Sequence, residues 1–136
     1  MDLAADANAL LSAVIGGRAK LFLSHPEVHS VLTTEYTFAE VEVYALVLAR
    51  KKRLPSDLLL LALAALPVTL VSRSRYVRSI PEATRKMGRR DPDDIELLAL
   101  ALDFKIPIWS NDKDFEGLSV ELFTTERLLR HLGIIH

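Results

Sequence analysis

Acidic side chains supply most of the chemistry this sequence can offer. Asp6 closes a short apolar segment, Leu3 to Ala5, and Asp112 stands just beyond another, Ile106-Pro-Ile-Trp-Ser110. If both segments are strands of one sheet, the two carboxylates reach the same edge. Asp91, Asp93 and Asp94 crowd a single helix start, Glu40 lies early in a longer helical stretch, and Asp114 follows Asp112 closely. Clustered carboxylates are hard oxygen donors, the ligand type that a hard divalent cation such as Mg²⁺ takes. The chain has no cysteine, which removes disulfides, thiolate zinc sites, iron–sulfur clusters and cysteine nucleophiles together. Any metal must be held by oxygen or imidazole. His25 and His29 are spaced i, i+4, but Pro26 intervenes and no His-Glu-x-x-His pattern occurs, so zinc binding is not expected. There is no Gly-rich phosphate loop.

Each acid also has an ordinary structural role to weigh. Asp6 and Asp112 sit at strand-to-helix turns, where aspartates cap the following helix. Asp91-Pro92 with acids in the next turn is helix-dipole chemistry. At about 100° per residue, Glu96 and Asp103 lie roughly 20° apart and define a solvent stripe, with Asp93 about 60° and Asp94 about 160° from Glu96. Asp94 therefore points inward on the stripe of Leu98 and Ala101, where a charge needs a partner or a cation. Glu40 fits two descriptions. Thr37-Phe38-Ala39-Glu40 matches a capping box with Thr37 as N-cap, and the helix Thr37 to Lys52 is apolar nearly all round, so the wheel does not separate Glu40 from Glu42.

The elements that must position these acids read as one alternating array. The chain has 136 residues, 50% of them hydrophobic, with a mean hydropathy of +0.21, which suits a single domain spanning residues 1–136. Leu3 to Ala5 reads as strand, Asn8 to Ile15 as a helix stopped by Gly16 and Gly17, Arg18 to Ser24 as a short helical piece, and Ser30 to Thr34 as strand. The long, largely buried helix Thr37 to Lys52 follows, then a helix from Pro55 to near Pro67 and a strand Val68 to Val71. Arg73 to Arg90 forms a helical or irregular excursion. A helix from Asp91-Pro92 to Phe104, strands Ile106 to Ser110 and Val120 to Thr124, and a helix Glu126 to Leu132 complete the chain. Alternating strands and helices predict an α/β fold with a mostly parallel central sheet flanked by helices, in which ligands bind beyond the carboxyl ends of the strands. Trp109 belongs to the core.

Charge is unevenly distributed. Residues 1–42, 43–90 and 91–136 sum to −4, +9 and −6 within a net −1. The basic stretch opens with Arg50, Lys51, Lys52 and Arg53 and continues through Arg73, Arg75, Arg78, Arg85, Lys86, Arg89 and Arg90. It is either a phosphate-backbone surface or a set of solvated helix faces balancing acids elsewhere. The longest apolar run, Leu58 to Val71, contains Pro67 and Thr69 and is shorter than the roughly 18 residues needed to span a bilayer. Met1 to Asn8 lacks the basic start of a secretory signal, so a cytoplasmic protein without a membrane segment is expected.

Taken in order, Asp6-Ala-Asn8, Glu40 early in its helix, Asp94 opening an apolar Ala-rich helix, and Ser110-Asn111-Asp112-Lys113-Asp114-Phe115 resemble the motif series of the PIN domain family across nearly the whole chain. That resemblance implies a small α/β nuclease fold that binds Mg²⁺ or Mn²⁺ and cuts RNA, as in VapC-like toxins and RNA-processing enzymes. Carried over by motif, Asp6, Glu40, Asp94 and Asp112 are the catalytic acidic quartet, Asp114 is a fifth metal-side acid, and Asn8, Thr37 and Ser110 are polar supports. Ser110 stands where many relatives have threonine, and the Arg-rich segment is not part of the common pattern. The resemblance also implies an antitoxin partner and a homodimer. The latter agrees with the apolar surface spread around the helix by Leu58, Leu59, Leu60, Leu61, Leu63 and Leu66.

Phosphodiester hydrolysis needs a more acidic water, a polarised non-bridging oxygen and a stabilised leaving alkoxide, all of which divalent cations supply. A non-catalytic PIN-like binding or scaffold module, and a nuclease acting on DNA or on nucleic-acid structure, are the alternatives. Haloacid-dehalogenase-like phosphatases fit less well, because Asp6-Ala-Asn8 lacks their second aspartate.

Overall fold

A computed structural model describes residues 1–136. Its centre is a five-stranded, all-parallel sheet in the order β3-β2-β1-β4-β5, with β1 Asp2–Ala5, β2 Ser30–Thr34, β3 Val68–Val71, β4 Ile108–Trp109 and β5 Leu122–Phe123. Parallel neighbours require crossover connections, and seven helices flank the sheet: α1 Ala7–Val14, α2 Lys20–Leu23, α3 Glu35–Lys52, α4 Ser56–Ala64, α5 Ile80–Met87, α6 Ile95–Phe104 and α7 Thr125–His131. Strands β4 and β5 are shorter than the expected 106–110 and 120–124: only Ile108–Trp109 and Leu122–Phe123 are in paired register, although the Pro107 and Glu121 carbonyls still accept the Ala4 and Ile108 N–H groups at 2.9 and 2.8 Å.

Strand pleating separates two cores. Leu3 and Ala5 of β1 face a cluster with Leu10, Phe22, Val41, Leu63, Trp109 and Leu128. Ala4 faces the opposite cluster, with Tyr76, Met87, Leu98, Ile108 and Phe115. Successive side chains of a strand point to opposite faces, so β1 is buried on both sides and reads as an unbroken apolar run. Trp109 is fully buried and meets Phe22 edge to face at 4.7 Å, as expected for a core residue.

Two sequence expectations about α3 fail. The helix expected to be capped by Thr37 begins earlier: Thr34 is the N-cap, its hydroxyl oxygen accepting the Thr37 N–H at 2.8 Å and its O–H donating to Thr37 Oγ1 at 2.7 Å. The Thr37–Glu40 capping box does not form, and Glu40 is released for other work. Nor is α3 largely buried. Only Thr37, Val41, Ala45 and Ala49 are buried, while Val43, Leu46 and Val47 stay exposed together with Leu58 and Leu61 of α4.

The solvent stripe expected on α6 is also covered. Arg78 binds Asp103 at 2.7 Å, Ser79 donates to the same carboxylate, and Tyr76 donates to Glu96 at 2.9 Å with Arg73 at 3.4 Å. The excursion 73–90, made of 3-10 turns and α5, folds over α6 and neutralises its acids. Arg78 holds the Asp103 carboxyl below its ordinary range. The other basic run, Arg50 to Arg53, ends α3, where cations complement the carbonyl end of the helix dipole.

Candidate metal-binding active site

The strand order reverses at β1: the chain steps outward to β2 and β3, then returns to β4 on the other side. Such a switch point opens a crevice at the carboxyl ends of the strands. Asp6 follows β1 there, and its N–H donates to the Trp109 carbonyl of β4 at 3.2 Å. Asp6 is buried, and both carboxylate oxygens are held: Oδ1 accepts the Ala9 N–H at 2.8 Å as the cap of α1, and Oδ2 accepts the Ser110 hydroxyl. The chain of bonds continues, with the Asp112 N–H donating to Ser110 Oγ and the Asp114 N–H to Asp112 Oδ1, both at 2.9 Å. Ser110 is therefore a support shared by β1 and the loop after β4.

The crevice is a narrow cleft of about 60 Å³ lined by Asp6, Asn8, Thr37, Glu40, Asp94 and Asp112, and also by Asp91 and Asp93. A water needs roughly 10–15 Å³, so the cleft has room for an ion and its waters. Carboxylate oxygens of Asp91, Asp94 and Asp114 lie within 4.8 Å of one another. All five acids expected from sequence thus fall in or beside one cleft. Sequence reasoning missed Asp91, because it caps the turn before α6 by accepting the Asp93 N–H at 3.0 Å. The role as cap was real, and the same side chain still turns into the acidic group; the available signal was its spacing, three residues ahead of Asp94.

Electrostatics show a site under charge stress. Burial, reinforced by Asp91, Asp112, Asp6 and Asp114, pushes the Asp94 carboxyl up to about 8. Burial pushes Asp6 up to about 6 against the opposing hydrogen bonds from Ser110 and Ala9. Burial and Asp93 push Glu40 up to about 7, although Tyr44 donates to it. Asp94 Oδ2 is buried with no hydrogen-bond partner. A buried acceptor of this kind, facing other acids, costs free energy unless a proton or cation meets it. The donor set, all oxygen, fits a hard divalent cation.

The chain belongs to the PIN domain family: the family's sequence profile matches residues 5–133. No curated protein matches it. Among solved structures, it is similar to PAE2754 from Pyrobaculum aerophilum, at 14% identity and a TM-score of 0.75, covering 99% of this chain and 91% of that one. It is also similar to a chain of VapBC2 from Rickettsia felis bound to a DNA fragment from their promoter, at 10% identity and a TM-score of 0.68, covering 91% of this chain and 98% of that one. At these identities the likeness is one of fold. The family consists typically of nucleases that use divalent metal ions, and no helix of this chain is long and apolar enough to cross a membrane.

Proposed function

We propose that this chain is a metal-dependent endoribonuclease that hydrolyses RNA phosphodiester bonds, acting in the cytoplasm as the toxin of a toxin–antitoxin pair. The observation that carries the reading is the buried, unpartnered Oδ2 of Asp94 within a cleft of acids at the strand-order switch. Asp6, Glu40, Asp94 and Asp112, with Asp114 beside them, would hold Mg²⁺ or Mn²⁺. When bound, the metal supplies an acidified water and polarises the phosphate. The protein residues prepare the cleft. Ser110 and the Ala9 N–H fix the Asp6 carboxylate, Asp112 is oriented by the Asp114 N–H, and Arg90 donates to the Asp114 and Glu116 carbonyls at 2.9 and 2.7 Å, anchoring the loop that carries Asp114.

Two partners belong to this reading. Val43, Leu46 and Val47 of α3 with Leu58 and Leu61 of α4 leave large apolar side chains in water, which a second copy of the chain covers in the proposed homodimer. The Rickettsia felis structure is a VapBC2 complex, and by analogy an antitoxin is proposed as the neutralising partner here.

EDTA should abolish cleavage of a labelled RNA, and Mn²⁺ or Mg²⁺ should restore it. Asp6→Asn and Asp94→Asn should each abolish cleavage with far-UV circular dichroism unchanged. Unaltered turnover in either variant defeats the assignment, and absence of Mn²⁺ binding at millimolar metal would favour a binding module.

A further inference from the structure

Beside the acidic cleft, across Pro92, lies a second groove of about 480 Å³, a size suited to small ligands. Its lining includes Glu35, Tyr36, Arg73, Tyr76, Ile80 and Pro92. The two cavities share a wall: Asp91 and Asp93 line the cleft while Pro92 between them lines the groove, and the Tyr36 hydroxyl donates to Asp93 Oδ1 at 3.0 Å. The groove is thus a surface next to any phosphate held in the cleft.

The chemistry of the groove is not that of a phosphate track. Arg73 is paired with Glu96 at 3.4 Å, and the Tyr76 hydroxyl donates to the same carboxylate, so this cation and this anion cancel. Beside that pair the groove presents Tyr36, 46% exposed, the apolar Ile80, Pro92 and Ile95, the Thr84 hydroxyl, and exposed Glu35 in the first turn of α3. An exposed aromatic ring beside an apolar wall is a stacking surface for a base. A carboxylate accepts and cannot donate, so it selects bases that present N–H groups. Guanine presents two adjacent donors, N1–H and the N2 amino group, along one edge, in the fork arrangement that matches the two oxygens of a carboxylate.

The geometry points to a guanine-binding subsite beside the scissile phosphate, with the base stacked on Tyr36 and its donor edge on Glu35. This rests on the nuclease reading above and adds the base preference that reading lacks.

Binding separates the subsite from cleavage. Guanosine and uridine, titrated into the metal-free chain and followed by amide NMR shifts, should differ in affinity by about tenfold in favour of guanosine, with shifts centred on Glu35, Tyr36 and Ile80. Glu35→Gln and Tyr36→Ala should each weaken guanosine binding by about tenfold. Equal affinity for the two nucleosides, or shifts elsewhere on the surface, overturns the subsite. Sequencing the cut ends of a random RNA library digested with Mn²⁺ should place guanine at a fixed position beside the cut, and Glu35→Gln should flatten that preference. An unchanged preference in the variant overturns the subsite. Guanosine binding in the groove by a protein that cuts no RNA overturns the nuclease reading and leaves the guanine site standing.

Discussion

The hydroxyl of Ser110 donates to Oδ2 of Asp6, joining residues 104 positions apart in the chain. This contact ties the residue after β4 to the residue after β1, whose strands are already paired through their backbones, and because the Asp112 N–H donates to the same hydroxyl, two of the acids in the cleft are oriented by a single side chain.

Removing that hydroxyl tests the support. Ser110→Ala should lower stability by about 1.5–3 kcal/mol, the usual range for a hydrogen bond to a charged group, as read by urea denaturation near neutral pH. It should also raise the Asp6 carboxyl further, because the Ser110 bond lowers it. Ser110→Thr keeps the hydroxyl and should cost less.

The pH dependence of the metal-free protein follows from the sign of the shifts. Carboxyls ordinarily titrate near roughly 4, whereas Asp6, Glu40 and Asp94 stand at about 6, about 7 and about 8. Between these limits the folded state binds more protons than the unfolded state, so their contribution favours folding in acid and is lost as pH rises through about 8. Thermal unfolding should show the metal-free chain losing stability from pH 5 to pH 8. Mn²⁺ competes with those protons, so its stabilising effect should grow over the same interval. A metal effect independent of pH contradicts the assignment of these acids as ligands.

The basic segment divides into two sets with separable effects. Arg73 and Arg78 pair with acids of α6, and Arg75 lies over the Phe104 ring at 5.3 Å. Arg78→Gln should therefore lower the melting temperature and leave the salt dependence of RNA binding unchanged. Arg85 and Arg89 are exposed, and Lys86 reaches only Glu82, at 3.9 Å. The triple variant Arg85→Gln, Lys86→Gln, Arg89→Gln should keep its melting temperature and flatten the log–log salt slope by about 0.7 for each lost contact on a single strand.

The apolar outer face of α3 and α4 predicts association. Light scattering at micromolar concentration should give about twice the chain mass of 15.2 kDa. Leu58→Asp with Leu61→Asp should return the protein to a single chain with its circular dichroism unchanged, since both side chains are more than 60% exposed and such surface positions carry little of the fold's own stability.

The sequence alone determined the α/β alternation, because strand and helix periodicities and the Asp, Pro and Gly breakpoints are local properties of the chain. It placed candidate acids as well, since Asp6 directly follows β1 and Asp112 lies three residues beyond β4, and the helical wheel turned Asp94 inward without any knowledge of its neighbours. Tertiary structure decided what lay opposite each residue. The wheel left Glu96 and Asp103 in solvent because a wheel holds one helix, whereas the excursion 73–90 packs on that face and supplies Tyr76, Arg73 and Arg78. The cap of α3 moved from Thr37 to Thr34 because β2 runs directly into the helix, and this released Glu40 to the cleft. Asp91 joined Asp94 and Asp114 only once the loop after β4 folded back beside the start of α6. Charge runs and caps are legible along a chain, but the partner of a charge is a matter of distances that only the folded chain sets.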